Sequence, residues 1–213
     1  MQRKNTVIIA KLWPLLLVVA FGVALAGCTQ MQQQKTWQRV AAEKAFERLQ
    51  SMKDDQERGL ARDFIGALIS LEKGGSPDMK FHGKTLLTMA VLRGDKDIVE
   101  RLISLDVYAD VNCIDDNCNT PLILACERAD VDIVKMLVDS GAQVNLQNKD
   151  GMTALMACAR SGNKSIAGAL MSAGANIRIQ DKRGNMVGDY AKSGGRADLI
   201  SYIANFQSKE GDE

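Results

Sequence analysis

Histidine is almost missing from this sequence: His82 is the only one among 213 residues. A lone histidine, placed where a turn is expected to begin, is far more often a surface or packing residue than a catalyst. Other catalytic signatures are missing too. No glycine-rich phosphate loop follows a strand, and neither a zincin motif nor a nucleophile elbow is present. Paired carboxylates stand at Asp54-Asp55 and Asp115-Asp116, each in an expected turn, and read as solvated charge. Prolines number three and aromatics make up 5% of the chain, while the apolar and charged fractions are those of a globular protein. No basic patch argues for nucleic acid. An enzyme is not expected, and no cofactor is implied.

The beginning of the chain reads as a processing segment rather than as part of a fold. Arg3, Lys4 and Lys11 give a basic start, and an apolar run of 15 residues follows from Leu12 to Ala26. A spanning helix needs about 20. The run closes on Leu25-Ala26-Gly27-Cys28, which resembles the lipobox of bacterial lipoproteins. That resemblance implies acylation of the Cys28 thiol, cleavage before it, and small residues that let the peptidase reach the bond. Residues 1–27 are then a signal peptide and 28–35 a lipidated tether rich in glutamine. Acyl chains on Cys28 would hold the protein on a bilayer, since two already give stable anchoring. Position 29 is Thr, not the Asp that resembles the inner-membrane retention signal, so the expected place is the outer membrane, facing the periplasm. Cleavage would remove three of the 27 basic groups and none of the 26 acidic ones, leaving a slightly acidic mature chain.

Internal repetition dominates the remainder. Gly83, Cys118, Gly151 and Gly184 are spaced by 35, 33 and 33 residues. Behind the first three come Thr85-Leu86-Leu87-Thr88-Met89-Ala90, Thr120-Pro121-Leu122-Ile123-Leu124-Ala125 and Thr153-Ala154-Leu155-Met156-Ala157-Cys158. The fourth copy, Met186-Val187-Gly188-Asp189-Tyr190-Ala191, is degenerate. Later in each unit stand Asp97-Ile98-Val99, Asp132-Ile133-Val134 and Ser165-Ile166-Ala167, starting second helices. Gly141-Ala142-Gln143-Val144-Asn145 and Gly174-Ala175-Asn176-Ile177 follow as turns. These segments resemble the ankyrin repeat, with its Thr-Pro-Leu-His-x-Ala and Gly-Ala-Asp-Val-Asn motifs. Only the second copy keeps the proline and none keeps the histidine. Threonine should cap each first helix, and glycine should end the second in a left-handed turn. The first clear unit reaches its turn through an insertion of about two residues near Leu105 to Tyr108.

The expected fold is therefore an all-α ankyrin solenoid of five helix–turn–helix units with finger hairpins. Residues 36–82 form an irregular N-terminal cap, with one helix over Trp37 to Met52 and another carrying Leu60, Phe64, Ile65, Leu68 and Ile69. Repeats at 83–117, 118–150 and 151–183 follow, then a C-terminal cap at 184–206 and a disordered tail at 207–213.

Four cysteines remain beyond Cys28, and in an oxidising compartment they allow three pairings. Cys113 and Cys118 flank a hairpin tip, and a disulfide there is expected. Cys126 and Cys158 fall where first helices usually carry alanine, as buried small hydrophobes. A Cys-x4-Cys pair has zinc-like spacing but no second ligand pair. The acidic cluster Asp110, Asn112, Asp115 and Asp116 lacks the glycine and closing glutamate of a calcium loop. No metal is expected.

The ankyrin resemblance implies a binding surface made of hairpin tips and exposed first-helix positions. By register these are Phe81, His82, Lys84, Leu92 and Arg93. The next units give Asp116, Asn117, Asn119, Glu127 and Arg128, then Lys149, Asp150, Met152, Arg160 and Ser161, then Lys182, Arg183 and Asn185. Arg128, Arg160 and Arg183 are expected to form one stripe. The implied partner is a protein. A membrane-tethered ankyrin binder resembles the immunity lipoproteins that bacteria pair with type VI secretion effectors, phospholipases among them. An envelope scaffold or stress-protection role is the alternative.

Overall fold

The computed structural model describes residues 55–72, 74–104 and 109–210, with side chains at 63–71, 74–104 and 109–206. The expected helix over Trp37 to Met52 and the insertion at 105–108 lie outside the described residues, as does the segment carrying Cys28. The described residues form nine helices and no strand: α1 (Asp55–Glu72), α2 (Leu86–Arg93), α3 (Lys96–Ile103), α4 (Pro121–Arg128), α5 (Val131–Asp139), α6 (Ala154–Ser161), α7 (Lys164–Ser172), α8 (Val187–Ser193) and α9 (Ala197–Glu210). None of these helices is long and apolar enough to cross a membrane.

Helices of eight or nine residues are marginal in water on their own, so packing decides whether they form. Here α2, α4, α6 and α8 lie side by side as an inner row, and α3, α5, α7 and α9 form an outer row behind them. Inner helices α2, α4 and α6 are each covered by a neighbour on both sides and by their own outer helix. As a result Leu86 to Val91, Pro121 to Cys126 and Ala154 to Ala159 are buried almost without interruption. Small residues such as Ala90, Ala125 and Ala157 let these helices approach. Outer helices bury one stripe each: Val99 and Leu102 in α3, and Ile133, Val134 and Leu137 in α5. Each fully buried leucine or isoleucine contributes about 1.5–3 kcal/mol. Two-layer stacking of short helix pairs is the all-α solenoid the repeat pattern implies.

The caps follow the sequence closely. Thr85, Thr120 and Thr153 each accept a backbone N–H of the first turn, from Thr88, Ile123 and Met156 at 3.2–3.4 Å. Each such cap is worth roughly 1 kcal/mol. In the degenerate fourth unit Met186 brings no hydroxyl, and Asp189 instead accepts the Met186 N–H at 3.0 Å. Gly141 and Gly174 end α5 and α7 at φ 84°, the left-handed turn that glycine permits.

Two readings of the chain's ends change. Glu210 still lies in α9, so residues 207–210 continue a helix where a disordered tail is expected. At the other end, Phe64 and Leu68 are buried as the pattern requires, but Ile69 is 40% exposed. Helix α1 packs onto α2, and Ile69, five residues past Phe64, lies about 140° round the helix from it and so points away from that contact.

Candidate functional site

Hairpins project from the inner row, and their shape comes from short side chains bonding to nearby backbone. Asp115 Oδ1 accepts the N–H groups of Asn117 and Asn119, both at 2.8 Å, and Oδ2 accepts Asn119 Nδ2 at 3.0 Å. Asp181 repeats this with Arg183, Asn185 and Asn185 Nδ2, and adds the Tyr190 hydroxyl at 2.7 Å. In the third hairpin Asn148 accepts the N–H groups of Asp150 and Met152. Asp115 is thus a buried turn-former, 5% exposed, and not the solvated charge its sequence context implies. Asn185, then the Tyr190 hydroxyl and the two backbone N–H groups, hold the Asp181 carboxyl down to about 2 despite opposing burial. The first hairpin differs: His82 (φ 45°) and Gly83 (φ 79°) make a tight two-residue turn closed by Phe81 and Lys84.

Successive hairpins are joined through backbone. Asp116 N–H donates to the Gly83 carbonyl, Lys149 N–H to that of Asn117, and Lys182 N–H to that of Asp150, at 2.9–3.0 Å. Their tips therefore form one continuous row. At the opposite edge, Asp78, Asn112 and Asn145 side chains accept the N–H groups of Asp110, Gln143 and Asn176 at 2.7–2.9 Å.

Of the residues selected by register, eight face outward on this row or beside it: Asp116, Asn117, Glu127, Lys149, Asp150, Arg160, Lys182 and Arg183. The others are engaged within the fold. Phe81, Leu92 and Met152 pack against the core. Arg93 lies 4.7 Å over the Phe64 ring and pairs with Asp95 at 2.7 Å. Asn119 links Asp115 to Asn148, and Asn185 is bound to Asp181. His82 pairs with Asp63 at 2.7 Å, Ser161 donates to the Cys158 carbonyl, and Lys84 is half-buried.

Of the three arginines expected to form a stripe, all are exposed, and Arg128 is also engaged by the fold. Arg128 Nη1 donates to the Leu92 carbonyl at 2.6 Å, closing the end of α2. Burial raises the phenol of Tyr190, a residue that register reasoning missed, and the charges of Arg183 and Arg160 both oppose that rise. The position of Tyr190 is held by Met89, Leu124 and Ala157 in the other units, so the aromatic looked like degeneracy. Burial raises the Glu127 carboxyl, and the Arg160 guanidinium opposes that rise.

No disulfide joins Cys113 to Cys118; both are free. The Cys113 thiol turns inward to Thr85 Oγ1 at 3.0 Å, away from the tip. Burial pushes it up to about 11. Cys126 and Cys158 are fully buried and also free, and burial drives Cys158 up to about 12. Thiols so far above neutral pH are poor nucleophiles. Among the described residues no three His, Cys, Asp or Glu side chains are placed to hold a metal ion. An open depression of about 500 Å3 beside Gly141 to Leu146 is lined by no titratable side chain.

A family model described as ankyrin repeats in three copies matches residues 59–148 and 87–181, together more than half of the chain. The chain belongs to the ankyrin-repeat family, whose members bind other proteins through such stacks and are generally non-catalytic. An ankyrin repeat protein of fowlpox virus is 38% identical over 79 residues, covering 37% of this chain and 18% of the relative. Alpha-latrotoxin-Lg1a of Latrodectus geometricus is 37% identical over 68 residues, 32% of this chain and 5% of the toxin. Human SH3 and multiple ankyrin repeat domains protein 2 is 38% identical over 88 residues, 40% of this chain and 5% of the relative. The chain thus spans less than a fifth of the length of each of these three relatives.

Proposed function

We propose that this ankyrin protein is a lipid-anchored inhibitor of the bacterial envelope, which grips a toxic enzyme in the periplasm and performs no chemistry itself. The observation that carries the reading is the pairing of a lipobox-like Leu25-Ala26-Gly27-Cys28 with a row of outward polar hairpin tips. Acylation of Cys28 would confine that row near a membrane, and Thr29 favours the outer one. A binder tethered there meets an enzyme that attacks from the periplasm, such as a phospholipase delivered by type VI secretion. Inhibition by contact needs only a rigid surface that covers an active site or blocks its approach to lipid.

Two measurements test this. Cys28→Ala should leave an unprocessed precursor, and fractionation should find the wild-type chain in the outer membrane. Recovery of the mature form from cytosol would sink the placement. Deleting the gene should leave cells sensitive to an effector encoded beside it. Full resistance to every neighbouring effector would remove the inhibitor reading.

A further inference from the structure

Cations on the hairpin row are treated differently in the two halves of the stack. Toward the N-terminus most are engaged: Lys80 pairs with Asp116 at 3.7 Å, Arg93 with Asp95, and Arg128 with the Leu92 carbonyl; only Lys84 has no such partner. Toward the C-terminus, the side chains of Lys149, Arg160, Lys182 and Arg183 make no hydrogen bond or ion pair with any described residue. All four are exposed. Lys149 and Lys182 stand on hairpins joined by the Lys182 N–H to Asp150 carbonyl bond, while the charges of Arg183 and Arg160 both oppose the burial-driven rise of the Tyr190 phenol. Asp181, in their midst, is 8% exposed and engaged by Arg183, Asn185 and Tyr190, so it offers no free carboxylate to them.

We propose that the third and fourth hairpins with the end of α6 form an acid-recognising patch, which takes an Asp/Glu-rich segment of the protein partner. This rests on the reading that the hairpin row is the partner-binding face. Unpaired guanidinium groups offer planar, multi-donor contacts to carboxylates, and lysines add point charge. Asp150 and Glu127 lie among or beside the four cations. That alternation fits a segment with discrete carboxylates better than the uniform anionic surface of a bilayer, which both acids would repel.

The test uses the full chain and a fluorescent oligoglutamate peptide as probe, followed by anisotropy. Combined replacement of Lys149, Arg160, Lys182 and Arg183 by Ser should weaken binding by about tenfold or more, whereas Lys80→Ser with Lys84→Ser should change it less than about twofold. Raising salt from about 50 to 300 mM should also weaken the wild-type complex strongly, because the patch is exposed. Equal binding by wild type and the fourfold variant overturns the proposal. So does failure to bind the probe, or preferential retention on phosphatidylcholine vesicles containing about one-third phosphatidylglycerol. In each of those cases a photoreactive side chain in place of Asn117 separates the two ideas. Cross-linking to a protein in cells leaves the binding face standing without its acid preference, and no cross-link removes both.

Discussion

The second and third repeats, residues 118–150 and 151–183, share length, threonine caps and register, yet they differ at two left-handed backbone positions. The third has Gly151 (φ 81°) and Gly162 (φ 77°), while the second has Cys118 (φ 58°) and Ala129 (φ 57°). Side chains rarely adopt this conformation, so the repeat dictates the backbone even where the residue resists it. Whether glycine is indispensable depends on what the next unit lays over it. A Cβ added at Gly151 would meet Lys182 N at 2.8 Å and Asp181 Cα at 3.0 Å, which are backbone atoms with nowhere to go. At Gly184, beyond which no further hairpin follows among the described residues, nothing lies within 4 Å.

The sharpest way to break the comparison is Gly151→Ala. It should cost roughly 3 kcal/mol, combining left-handed strain with displacement of the fourth hairpin. Gly184→Ala should cost only about 1 kcal/mol, because strain acts there alone. Urea unfolding of both variants checks this, and equal losses would show that the overlying hairpin yields freely. In the opposite direction, Cys118→Gly and Ala129→Gly should each stabilise the second repeat by about 0.5–1 kcal/mol, relieving strain at some cost in unfolded-chain entropy. A lower denaturation midpoint in either would mean that its side chain contributes contacts outweighing the strain.

Thiol chemistry gives a smaller but sharper contrast. Under native conditions Cys118, half-exposed, should react with iodoacetamide well before buried Cys113, Cys126 and Cys158, which should react only on unfolding. Peptide mass spectrometry resolves the order, and early labelling of Cys113 would contradict its inward position. The smallest effect concerns acid. Asp181 titrates near 2 in the folded chain, below its ordinary 3.8, so its stabilisation is present above about pH 4. It is lost as pH falls toward 2. Asp181→Asn, which installs the residue type the third hairpin uses at Asn148, should lower the melting temperature at pH 7 and flatten its decline between pH 4 and 2. An unchanged acid profile would show that this carboxylate is not among the groups that titrate with unfolding.

Much of this molecule was legible from spacing alone. Threonine and glycine sit where helix ends require a side-chain acceptor or a left-handed turn, and those needs are local to a few residues. Direction of side chains was harder to read. Cys113 looks like part of a tip, but its thiol points to Thr85 from the preceding unit, a partner 28 residues away. Arg128 occupies an exposed register position, yet the carbonyl it closes belongs to the helix before it. Asp115 beside Asp116 suggests twin surface charges, although the first is folded under three donors and the second lies outside. In each case the deciding partner is in another unit or on the other side of a tight turn. Periodicity locates a residue within its own repeat and says little about which neighbour it serves.

Two rows of polar stitches, one at the hairpins and one at the turns, run on either side of an apolar seam of inner and outer helices. Such a laminate answers different loads differently. Sliding one repeat past the next by a residue would tear both rows at once and misalign the helices between them. Opening two repeats like the covers of a book tears only one row and leaves the other as a hinge. The stack should therefore be stiff against shear and comparatively compliant in curvature. A large partner lying along the tips could adjust the bend of the array while the order and spacing of its charged tips stay fixed.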